Sequence, residues 1–97
     1  MSRSLAAAIG VASIAAAAVV ASAEPPAGAV SCSGCHATSA RVTTPVPRLI
    51  GVDKAAIVRA MQDFRSGQRV ATVMDRIAKG FTDDEIQAIA AWYASQR

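Results

Sequence analysis

The pentapeptide Cys32-Ser33-Gly34-Cys35-His36 contains both cysteines and the single histidine of the chain. In one helical turn, positions i, i+3 and i+4 share a face. Cys32, Cys35 and His36 can therefore all point to one side. The spacing is the C-x-x-C-H pattern of covalent haem attachment. Two thiols would become thioethers, and the imidazole of His36 would bind the iron from one side. Gly34 keeps the turn slim where a macrocycle would press on it.

Other readings of the same residues fail on context. A thioredoxin-like pair belongs next to a βαβ unit, and no strand pattern follows. A zinc site takes about four ligands, and only three soft ones exist. A plain disulfide leaves the adjacent lone histidine unexplained. It also leaves a thin core unexplained, because aromatic residues make up only 4% of the sequence: Phe64, Phe81, Trp92 and Tyr93. Small chains of this kind need a staple or a cofactor, and an enclosed haem would supply the missing apolar interior.

Residues 1–23 read as an export signal. Arg3 gives a positive start, Leu5 to Val20 is apolar, and Ala21-Ser22-Ala23 is a small-residue cleavage site. The rival reading is an uncleaved anchor, since the run is just long enough to span a bilayer. Its alanine-rich composition, Gly10, Ser13 and the lack of a charged stop favour cleavage after Ala23. Residues 24–97 would then form one monohaem domain in the periplasm with no membrane span. With Arg3 removed, the remaining Lys and Arg nearly balance the 7 Asp and Glu. Two haem propionates would bring the total close to neutral, which argues against nucleic-acid binding.

The pattern along residues 24–97 is all-α, a small fold of three to four helices wrapped around one haem. Pro25, Pro26 and Gly28 lead into a short helix bearing the pentapeptide. Residues 37–51 are a loop, with Pro45 and Pro47 opposing helix. Asp53 is a plausible N-cap for a helix over residues 54–66 that stops at Gly67. On it, Ile57, Met61 and Phe64 form an apolar stripe, widened by Val58. Residues 68–79 form a short helical or loop segment ending at Gly80. Thr82 and Glu85 form a capping box for a final helix to about Ser95, whose buried face carries Ile86, Ile89, Ala90 and Tyr93.

A six-coordinate haem needs a second axial ligand, and there is no second histidine. Met/His ligation is the pattern of cytochromes c. Met74 can cross the far haem face on a separate piece of chain. Met61, on the apolar stripe, is accounted for by packing and is the alternative. An open or water-bound iron is the third possibility.

At this point the chain resembles the class I cytochromes c. The resemblance rests on Cys32 to His36, Pro47-Arg48-Leu49-Ile50-Gly51, Met74 and the terminal Ile89-Ala90-Ala91-Trp92. It implies that the Pro47 carbonyl orients His36, that Leu49 lines the haem pocket, and that Trp92 sits where the terminal helix crosses the haem-bearing helix. Phe64-Arg65-Ser66-Gly67-Gln68-Arg69 and the stretch from Ala71 to Phe81 are similar to the cytochrome subunits of flavocytochrome c sulfide dehydrogenases. That implies an electron acceptor for a separate FAD subunit that oxidises sulfide, passing electrons to a downstream cytochrome or oxidase. Some members of that family carry two haem domains, whereas this chain has one motif.

The expected function is single-electron transfer through haem c, without chemistry on a substrate. A free-standing carrier for another oxidoreductase is the alternative within that class, and a haem-based ligand binder or sensor is the alternative outside it. Arg41, Arg48, Arg59, Arg65, Arg69, Arg76 and Lys79 are solvated surface charges on the plain reading. Arg76 and Lys79, beside Met74, are the first candidates for steering an acidic partner, and Arg48 for bonding a propionate.

Overall fold

A computed structural model describes Ala7, residues 9–15 and residues 24–97. The charged start at Arg3 and the cleavage site Ala21-Ser22-Ala23 lie outside the described residues. Among those described there is no strand, and no helix is long and apolar enough to cross a membrane.

Four helices follow in chain order: α1 (Ala29–Cys32), α2 (Lys54–Ser66), α3 (Met74–Ala78) and α4 (Asp83–Ser95). The two long ones are bounded by side chains that satisfy orphaned backbone groups. Asp53 accepts from the Ala56 amide at 3.2 Å, and Gly67 closes α2 in the left-handed region at φ 80°, where glycine has no Cβ penalty. At α4, Thr82 Oγ1 accepts from the Glu85 amide at 3.2 Å, and Glu85 Oε1 accepts from the Thr82 amide at 3.1 Å. Both bonds of the capping box are present.

The core is small. Ala29, Ile57, Ile89, Ala90 and Tyr93 are its buried members, and Tyr93 is the largest fully buried side chain. These residues bring the N-terminal turn and α2 against the inner face of α4. Tyr93 secures the crossing by donating from its hydroxyl to the Ala29 carbonyl at 2.5 Å. Trp92, expected at the edge of the buried face of α4, packs there against the core and meets the Tyr93 ring edge-on at 4.8 Å. Gly28 makes the close approach possible. A Cβ there would lie 2.7 Å from Phe81 Cε1, and its φ is +85°. Residues 37–52 form the irregular wall between α1 and α2.

Candidate functional site

α1 ends at Cys32, yet the turn carries on. Both the Cys35 amide (3.2 Å) and the His36 amide (2.9 Å) donate to the Cys32 carbonyl. The pentapeptide is thus one further helical turn, which is why Cys32, Cys35 and His36 all line the same cavity. Gly34 touches only its own turn, since a Cβ there would meet Ser31 O at 3.3 Å.

The cavity measures about 920 Å³, within the range of cofactor pockets. One side carries Cys32, Cys35 and His36. The loop contributes Pro45, Val46, Pro47, Arg48 and Leu49. α2 contributes Ile57, Ala60, Met61 and Phe64, and the segment after it contributes Val70, Val73, Met74 and Ile77. The stripe Ile57, Met61 and Phe64 therefore borders the cavity, and Ile57 and Met61 also meet the core. Met61 and Met74 both line it, so lining alone does not separate the two.

His36 Nδ1 lies 2.6 Å from the Pro47 carbonyl oxygen. A carbonyl can only accept, so Nδ1 carries the proton. In the neutral ring that leaves the lone pair on Nε2. The contact thus selects the tautomer a metal needs and fixes the plane of the ring. Leu49 is half-buried, packs against the core and lines the cavity.

Both cysteines are free. Burial, the largest influence, pushes the Cys32 thiol above its ordinary value, and hydrogen bonding offsets this only in part. A redox-active dithiol pair depends on a lowered thiol pKa, so the shift at Cys32 runs against a disulfide exchange module. Arg48 also faces the cavity. Its Nη2 donates to the Thr38 carbonyl at 3.2 Å, while its buried Nε has no partner. A donor left over beside an apolar cavity fits a bound molecule with an apolar body and an acidic edge. Haem has that chemistry, and the thiols and oriented imidazole suit it too.

Several contacts around the site were invisible in the sequence. Arg65, read there as a solvated charge, donates from Nη2 to the Phe81 carbonyl at 2.6 Å and from Nη1 to Asp83 Oδ1 at 2.5 Å. The Arg69 guanidinium lies over the Phe64 ring, 4.9 Å from its centroid. The only advance signal was the unusual density of basic and small residues in Phe64-Arg65-Ser66-Gly67-Gln68-Arg69.

No protein-family model matches the chain. Curated proteins do. The chain is 35% identical over 69 residues to cytochrome c-554(548) of Halomonas halodenitrificans, covering 67% of this chain and 83% of that protein. It belongs to the cytochrome c family. It is also 39% identical over 66 residues to the cytochrome subunit of sulfide dehydrogenase of Chlorobaculum tepidum, covering 68% of this chain and 60% of that protein. A third relative, the thiosulfate dehydrogenase electron acceptor of Stutzerimonas stutzeri, is 37% identical over 65 residues, and the match spans 30% of its length. The described residues of this cytochrome are all-α, and its cofactor is covalently bound haem c.

Proposed function

We propose that this cytochrome is the haem subunit that accepts electrons from an FAD-containing sulfide dehydrogenase subunit in the periplasm. In this reading residues 1–23 are removed after Ala23 and residues 24–97 form the monohaem domain. The observation that carries the partner is the 39% identity with the Chlorobaculum tepidum cytochrome subunit.

Cys32 and Cys35 hold the haem through thioethers. His36 and Met74 would bind its iron, with Pro47 and Leu49 supporting the pocket. When bound, the haem supplies a one-electron couple, its iron alternating between Fe(II) and Fe(III). The chain's own work is positional. The Pro47 carbonyl keeps the His36 proton on Nδ1 and so presents Nε2. Leu49, Ile57 and Phe64 supply an apolar lining that keeps water out and the local dielectric low. Arg48 Nε, buried without a partner, would donate to a carboxylate of the haem. Met74 offers a thioether, a ligand that favours the reduced state.

A second reading is a free-standing carrier, favoured by the similarity to the Stutzerimonas stutzeri electron acceptor. Gentle purification from the native periplasm separates the two. Haem and flavin in near-equal amounts, with sulfide reducing the haem, is the expected result. Haem alone, with no flavoprotein retained, overturns the subunit reading in favour of the carrier.

A further inference from the structure

Met74 sits on a strap of chain between Gly67 and Asp83 whose hydrogen bonds to the rest of the described residues lie only at its ends. At the start, the Gly67 amide donates to the Phe64 carbonyl at 3.4 Å and the Arg69 amide to the Asp63 carbonyl at 3.2 Å. The Arg69 guanidinium over the Phe64 ring adds to that end. At the far end, Arg65 reaches from the last turn of α2 to the Phe81 carbonyl at 2.6 Å and to Asp83 at 2.5 Å. Between them, the Arg76, Ile77, Gly80 and Phe81 amides all bond within the strap. Between these ends α3 packs along α2 without hydrogen bonds to it, and Ala78 is its buried member.

The two bonds of Arg65 are unequal. The Asp83 side chain is 76% exposed, and solvent screens a pair of that kind. The bond to the Phe81 carbonyl is partly buried, and a charged donor to a shielded carbonyl is the stronger contact. The Phe81 ring is itself wedged against Gly28, the N-cap of α1 and four residues before Cys32. Phe81 therefore relates the wall carrying Cys32 and His36 to the strap carrying Met74, and Arg65 holds its backbone.

We propose that Arg65 is a positioning residue for the sixth ligand: through the Phe81 carbonyl it fixes the strap so that the Met74 sulfur stays on the haem. The inference rests on Met74 being that ligand.

The test uses the full haem-loaded protein as wild type, Arg65→Gln, Arg65→Lys, Asp83→Asn and Met74→Ala. Two quantities are read: the far-red methionine-to-ferric-iron charge-transfer band as pH is raised, and the rate of carbon monoxide binding to the ferrous protein. Tyr93→Phe serves as a destabilised comparator away from the strap. Arg65→Gln is expected to lose the band at a lower pH than wild type and to bind carbon monoxide faster, on the order of tenfold. Arg65→Lys falls between them, Asp83→Asn stays near wild type, and Tyr93→Phe does not accelerate binding. If Arg65→Gln is destabilised but keeps the wild-type band and rate, Arg65 is only a brace and the proposal fails alone. If Met74→Ala keeps the band, the ligand reading fails and takes the proposal with it. Should Arg65→Gln not fold, a wild-type rate in Arg65→Lys overturns the proposal.

Discussion

The Tyr93 hydroxyl donates to the Ala29 carbonyl at 2.5 Å, joining residues 64 positions apart. It is a buried bond between the last helix and the turn that leads into Cys32. Replacing Tyr93 with Phe leaves the Ala29 carbonyl without its donor and is expected to cost about 1–3 kcal/mol. Burial, and secondarily the neighbouring Cys32 charge, raises the Tyr93 phenol above its ordinary 10.0. Once Cys32 is a thioether, only the burial effect remains. A raised pKa means that this contribution is complete below pH 10.0 and is lost as pH rises through the folded value. Denaturant titrations should show a constant gap between wild type and Tyr93→Phe below that pH and a narrowing gap above it. A gap that ignores pH would mean that the hydroxyl is not the group responsible.

Gly28 and Gly67 provide a matched pair. Their φ angles are +85° and +80°, but a Cβ at Gly28 meets Phe81 at 2.7 Å whereas one at Gly67 meets nothing within 4 Å. Gly67→Ala carries backbone strain alone, about 1 kcal/mol. Gly28→Ala adds a collision and should cost about 2–4 kcal/mol. Thermal melting of the two haem-loaded variants checks this. Equal losses would show that Phe81 moves aside freely.

The long helices were legible because their ends are written in local chemistry. Asp53, Gly67 and the Thr82–Glu85 box each act within a few residues, so chain order suffices to find them. The pentapeptide was legible for the same reason. What chain order does not encode is which side chains meet across space. The stripe Ile57, Met61 and Phe64 has one periodicity whether it faces a core or a cavity, and here all three line the cavity while Ile57 and Met61 also meet the core. Tyr93 and Trp92 are adjacent aromatics, and only the approach angle of α1 decides which one bonds to Ala29. Arg65 looks like any exposed cation until Phe81 is folded back over it.

Met61 and Met74 border the same cavity from different supports, and their replacement should separate packing from ligation. Met61 is half-buried on α2 and packed against the core. Met61→Ala should cost about 2 kcal/mol through the space it leaves, with the low-spin haem spectrum intact. Met74→Ala should abolish the methionine-type spectrum and open the iron to external ligands. The reverse pattern would transfer the axial role to Met61.

Arg76 and Lys79 are both exposed on the strap that carries Met74, beside the cavity that Val73 and Ile77 line. Cations at the edge of that cavity suit a partner with an acidic rim, which gains orientation from the charges. Charges at a rim act mainly on association rate. The double variant Arg76→Glu, Lys79→Glu should slow reduction by the physiological donor about tenfold at low ionic strength. The difference should collapse near 1 M salt, where the Debye length is about 3 Å. The haem spectrum of the variant should match wild type, which separates docking from ligation. Equal rates at low salt would place the electron entry face elsewhere on the molecule.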